Sequence, residues 1–114
     1  MTDDKNQNDI DESLHEKLKD LKSQEGILGY ILRGSNSAAI DLNDPTKIID
    51  YAVLSSAVLD VSFSMTENLP VGEIETVVVE TENTKLLSMN VGEKRLSIFM
   101  EKNVDHNRLL NEMK

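Results

Sequence analysis

From Asp9 the chain takes on a helical rhythm: Ile10, Leu14, Leu18 and Leu21 recur at three- and four-residue spacing, with Glu12, Glu16, Lys17, Lys19 and Lys22 filling the other positions. This predicts an amphipathic helix of roughly four turns. It should stop at Glu25-Gly26-Ile27, where Gly26 can adopt the left-handed cap conformation and Ile27 can fold back onto the last turn. Residues 1–8 (MTDDKNQN) offer no large apolar side chain except Met1, so nothing offsets the entropy of ordering them. They are expected to form a disordered tail, leaving 9–114 as one domain.

The period then changes. Ile27 to Arg33 (ILGYILR) is short, apolar and bounded by glycine and serine, which predicts a buried strand. Gly34-Ser35-Asn36-Ser37 supplies turn chemistry before a second strand, Ala38 to Leu42, so the two are expected to pair as a hairpin. At Asn43-Asp44-Pro45 a helix should begin, because Asp44 can cap free amides and Pro45 has the φ wanted in the first turn. That helix runs to about Asn68, before Pro70 and Gly72. Three strand-like runs follow, Glu73 to Glu82, Lys85 to Val91 and Arg95 to Glu101, joined by linkers short enough for hairpins. A last short helix, about Val104 to Met113, takes Asn103 or Asp105 as its cap. Hairpin-linked strands interrupted by helices predict an α+β domain of order α-β-β-α-β-β-β-α.

Placed at about 100° per residue, the long helix shows two apolar stripes. One holds Ile48, Ile49, Ala52, Val53, Leu59 and Phe63; the other holds Tyr51, Leu54, Ala57, Val58, Val61 and Met65. The first is assigned to the sheet. A second stripe implies cover on the other side, either from the flanking helices or, as preferred here, from another subunit. Val77-Val78-Val79 is likewise apolar toward both faces, between the hydrophilic Glu73, Glu75, Glu80 and Glu82. It therefore expects a layer on each side, and at a sheet edge it would be an open pairing site. The candidate interface is accordingly Tyr51, Leu54, Ala57, Val58, Val61, Met65, Val77 and Val79.

Composition narrows the chemistry. The 114 residues carry a formal net charge of −9, spread along the chain, which disfavours nucleic acid and anionic lipid surfaces as partners. There is no cysteine, so no disulfide, zinc-thiolate site or cysteine nucleophile is available, and a reducing cytoplasm is the expected setting. No signal-peptide pattern is read at the N-terminus, and no uninterrupted run of about 18 apolar residues suggests membrane insertion.

Individual motifs do not point to catalysis. Gly29 and Gly34 have a spacing found in phosphate-binding loops, but the lysine is missing and the residues between them read as strand. His15 and His106 lack partners at metal-ligand or triad spacing and are read as solvated. Asp9, Asp11 and Glu12 lack the glycine and terminal glutamate of a calcium loop. Ser55, Ser56 and Ser62 read as small residues that permit close helix packing, and Arg33 and Arg95 as strand-end charges in solvent. No catalytic residue, metal ligand or cofactor is expected.

Taken together, the hairpin ILGYILRGSNSAAI, the helix IIDYAVLSSAVLDVSFSM, the run EIETVVVETENTKLLSMNVGEKRLSIFM and the short final helix resemble the roadblock/dynein light-chain family, in its bacterial and archaeal form. The resemblance covers about Asp9 to Met113 and rests on a pattern rather than a signature motif. One departure is the first hairpin turn, Gly34-Ser35-Asn36-Ser37, where relatives usually carry an acidic residue and glycine. The resemblance implies a five-stranded antiparallel sheet with the long helix on one face and the two terminal helices on the other, a profilin-like layering. It also implies a homodimer with paired third strands and packed long helices. Such proteins serve as non-catalytic platforms for Ras-like small GTPases, or as adaptor subunits of motor and signalling assemblies.

Overall fold

The computed structural model describes the backbone of residues 2–70 and 72–113, and the side chains of residues 12–70 and 72–113. Its elements are α1 (Thr2–Lys22), β1 (Ile27–Arg33), β2 (Ala38–Leu42), a 3₁₀ turn (Pro45–Lys47), α2 (Ile48–Asn68), β3 (Thr76–Glu80), β4 (Lys85–Val91), β5 (Lys94–Met100) and α3 (His106–Met113). The order is the expected one. The backbone of α1 begins at Thr2, earlier than the Asp9 start read from periodicity; the side chains on which the tail expectation rests lie outside the described residues. At its other end Gly26 takes φ 85°, as a left-handed cap requires, and a Cβ there would lie 2.6 Å from Val104 Cγ2.

All five strands form one antiparallel sheet in the order β2-β1-β5-β4-β3. Side-chain alternation sends the residues of each strand to two layers. Leu87 and Met89 of β4, Leu96, Ile98 and Met100 of β5, and Ile27 and Tyr30 of β1 meet Leu14, Leu18 and Leu21 of α1 and Leu109 and Met113 of α3. On the other face Ile31, Leu86 and Phe99 meet Val58, with Leu28, Tyr51, Ala52 and Leu54 packed around them. The long helix therefore covers one face and the two terminal helices the other, as the resemblance implied.

In β1 the two-residue period slips, since Ile27 and Tyr30 share a face although they are an odd number of residues apart. A bulge absorbs the slip: Ile27 faces Met100 while Gly29 faces Phe99, so the register shifts between them. Only glycine suits Gly29, at φ 145°, because a Cβ would sit 2.4 Å from the Asp41 carbonyl oxygen and 2.6 Å from Leu42 Cα.

Caps fall where the sequence places them. Asp44 Oδ1 accepts from Thr46 N at 3.0 Å ahead of the 3₁₀ turn, and Asp105 Oδ1 accepts from Asn107 N at 3.0 Å ahead of α3. The strand expected over Glu73 to Glu82 is shorter. It starts at Thr76; ahead of it the Glu75 carbonyl accepts from Asn90 N at 3.2 Å, and Arg95 Nη1 also donates to the carbonyls of Ile74 and Glu75, each at 3.4 Å. Val77-Val78-Val79 also lacks the layer expected on each side. Val77 and Val79 turn toward α2, but Val78 is exposed on the opposite face, because α1 and α3 cover β1, β4 and β5 rather than the β3 edge.

Candidate interaction surface

Helical phase decides what α2 presents. Its sheet-facing side is formed by Tyr51, Ser55, Val58 and Ser62, whose spacing holds one face of the helix. Tyr51 stacks on Phe99 with ring centroids 4.3 Å apart and planes within 7°. Ser55 and Ser97 share a hydrogen bond of 3.2 Å, so small residues from helix and sheet let the two approach closely. Ser62 Oγ donates to the Val58 carbonyl within the helix.

The two stripes are therefore rotated from the expected assignment. Of the second stripe, Val58 is only 7% exposed and lies in the core, while Tyr51 and Leu54 pack beside it. Ala57, Val61 and Met65 do face outward. Of the first stripe, Ile49 (75% exposed), Val53 (64%) and Phe63 (61%) point to solvent rather than to the sheet. Ile49, Val53, Ala57, Val61 and Met65 follow each other at four-residue steps and make one outward ridge. That four-residue recurrence was legible in the sequence; the phase was not, because the buried face is marked by serine rather than by the largest apolar residues.

Beside the ridge, Ala57, Val58, Val61, Val77 and Val79 line an apolar groove of about 170 Å³ between α2 and β3. The candidate residues Val77 and Val79 are half-buried there. β3 is an edge strand, so the ridge, the groove and an unpaired strand edge are contiguous. Helix and 3₁₀ turn together, Pro45–Asn68, are by length and apolar composition sufficient to cross a membrane. This departs from the count of uninterrupted apolar residues: the valines, isoleucines and leucines outweigh Asp50, Asp60 and the serines.

Both arginines of this layer turn inward instead of lying in solvent. Arg33 Nη2 donates to Ser56 Oγ at 2.9 Å and to the Ala52 carbonyl at 3.3 Å, tying β1 to α2. Arg95 Nε donates to Ser88 Oγ at 2.9 Å, and Nη1 to Asn90 Oδ1 at 2.9 Å. Burial pushes the Arg95 guanidinium below the usual arginine range. On the opposite face, burial and then the nearby Asp41 carboxylate raise the Tyr30 phenol. Asp41 itself pairs with Lys22 at 2.9 Å. His15 is exposed, whereas His106 is half-buried at the start of α3 with Nδ1 inaccessible and unpartnered, contrary to the solvated reading. The residues from Gly29 to Arg33 are strand, not a phosphate loop.

A five-stranded antiparallel sheet with one long helix on one face and two terminal helices on the other defines a small α+β domain whose largest apolar exposure, among the described residues, is a helix beside a free strand edge. Its architecture is that of the roadblock fold. The chain is similar to the crystal structure of a Roadblock/LC7 domain from Streptomyces avermitilis, with a TM-score of 0.66 over 82% of this chain and 81% of that one, at 21% sequence identity. No family model matches the chain, and no curated protein matches it.

Proposed function

We propose that this protein is a non-catalytic, homodimeric regulatory platform that binds a Ras-like small GTPase and modulates its nucleotide cycle. The observation that carries the reading is the outward ridge of α2, with Ile49, Val53, Val61 and Met65 uncovered next to the open edge of β3. Exposed apolar area of this kind marks an interaction site. Pairing of two β3 edges and two α2 ridges about a two-fold axis would cover both at once. Asp50 and Asp60 lie exposed in the same helix, so a protein surface suits α2 better than a bilayer. The cysteine-free chain fits a cytoplasmic setting.

The GTPase part of the reading rests on the roadblock-type fold. Acceleration by an inserted arginine is not the mechanism proposed, because Arg33 and Arg95 are both engaged in holding the fold together. Instead the platform would hold the partner's switch loops in one conformation, which requires different affinity for the two nucleotide states. The test is capture of a small GTPase from native extract, followed by titration of that GTPase loaded with GDP or a non-hydrolysable GTP analogue. The affinities should differ, and Arg33→Ala should keep most of any stimulation. Equal affinity for the two states would favour the second reading, a structural adaptor in a larger motor or signalling assembly. A second free edge at β2, where Ile40 is exposed, supports that alternative by offering another joint.

A further inference from the structure

A separate cleft opens on the other flank of α2, away from the ridge. It measures about 130 Å³, and its walls are Leu59, Phe63 and Thr66 of the helix, Ile74 of the following segment, and Asn90 and Arg95 at the ends of β4 and β5. Arg95 brings five N–H groups to this place. Nε is used by Ser88, and Nη1 by Asn90 and the carbonyls of Ile74 and Glu75, but Nη2 is buried with no partner. Every acceptor that Arg95 does have is a neutral oxygen. Lys22 pairs with Asp41 on the opposite face, and among the described residues no carboxylate pairs with the Arg95 guanidinium. A buried N–H without an acceptor is costly, and a guest oxygen that meets Nη2 through a small shift of the Arg95 side chain would remove that cost.

The remaining lining decides which anion. Ser62 and Thr66 donate their hydroxyl protons to the carbonyls of Val58 and Phe63, so donation to a guest falls to Arg95 and to the Asn90 amide. Leu59, Phe63 and Ile74 provide apolar wall. Glu73 also lines the cleft, and its charge disfavours a dianion such as phosphate. We propose that the cleft between α2, the Glu73–Ile74 segment and the β4–β5 end is a binding site for a small aliphatic monocarboxylate, with Arg95 on the carboxylate and Leu59, Phe63 and Ile74 along the alkyl chain. The helix residues of the site lie on a different flank of α2 from Val53, Ala57 and Val61.

The experiment is titration of the isotope-labelled full chain with acetate, butyrate, hexanoate and inorganic phosphate at constant ionic strength, followed by NMR of the backbone amides and the Arg95 Nε–H. Butyrate should produce saturable shifts at Phe63, Ile74, Asn90 and Arg95, with affinity about tenfold above acetate, from two further buried methylenes. Glu73→Gln should tighten it. Arg95→Gln should abolish it, and Thr66→Phe should abolish it too by filling the cleft while leaving Arg95 in place, which keeps the test decisive if Arg95→Gln fails to fold. The proposal is overturned by the absence of saturable shifts at tens of millimolar butyrate, by equal affinity for acetate and butyrate, by tighter binding of phosphate, or by butyrate binding that survives in Thr66→Phe.

Discussion

Two valines five positions apart on α2 separate stability from association. Val53 is 64% exposed and Val58 is 7% exposed, against Ile31, Leu86 and Phe99. Val53→Asp places a carboxylate where the single chain already meets water, so the monomer should stay within about 0.5 kcal/mol of wild type. In a dimer built on the α2 ridge, the same change buries an unpaired charge from each copy, at a cost of about 3–5 kcal/mol. At about 1.4 kcal/mol per decade, the dissociation constant should weaken by a factor of at least about a hundred. Val58→Asp buries the charge within each chain. It should remove about 3–5 kcal/mol from a total of about 5–15, a drop in melting temperature of at least about 12 °C.

Sedimentation equilibrium and thermal melting of both variants read the two effects separately. The expected pattern is a well-folded, monomeric Val53→Asp and a strongly destabilised Val58→Asp. A wild-type protein that stays monomeric at tens of micromolar would refute the dimer. Wild-type-like association of Val53→Asp would move the interface off the ridge, and an unperturbed melt for Val58→Asp would contradict the packing of α2 on the sheet.

Three further outcomes are expected. Gly29→Ala forces a side chain into a left-handed bulge 2.4 Å from the Asp41 carbonyl, so calorimetry should show a loss above about 2 kcal/mol; a wild-type melt would remove the bulge from the account. Hydrogen bonds from the Thr46 hydroxyl and then the Thr46 amide hold the Asp44 carboxyl below its ordinary range. Its contribution is therefore present above the unfolded aspartate value and is lost as pH falls through the lower folded value. Melting followed from about pH 5 to about pH 2 should show an acid-side loss that shrinks in Asp44→Asn, and identical profiles would remove the cap's share. Deletion of Thr2–Asn8 should move the melting temperature by no more than about 1–2 °C, because the described core of α1 begins at Leu14; a larger drop would show that the segment docks.

The element order was legible because local chemistry marks nearly every boundary. Gly26 closes α1, Asp44 with Pro45 opens the helical segment before α2, and turn residues separate the strands. Long-range contacts set the features that were not legible. The segment before β3 is one: its carbonyls at Ile74 and Glu75 are reached by Arg95, some twenty residues further along the chain. The phase of α2 was misread for a related reason: its inward face had to fit over Ser88 and Ser97, so Ser55 and Ser62 went inside and Ile49, Val53 and Phe63 stayed out. Hydrophobicity alone ranks those residues the other way. The inward turn of Arg33 and Arg95 also depends on side-chain partners that sit elsewhere in the sequence.

The two faces of the sheet are closed to different degrees, and this bears on why α2 carries so much apolar surface outward. Among the described residues the buried cluster under α1 and α3 holds thirteen; under α2 it holds four, ringed by half-buried neighbours. Part of the α2 layer is held instead by polar links, the Ser55–Ser97 hydrogen bond and the Arg33 bridge to Ser56. Such links fix orientation while contributing about 1 kcal/mol each. A helix seated in this way is positioned by its inner face without using the apolar side chains of its outer ridge for folding. Those side chains remain uncovered in the single chain, and a second subunit laid over the ridge would bury them as part of a core shared between two copies.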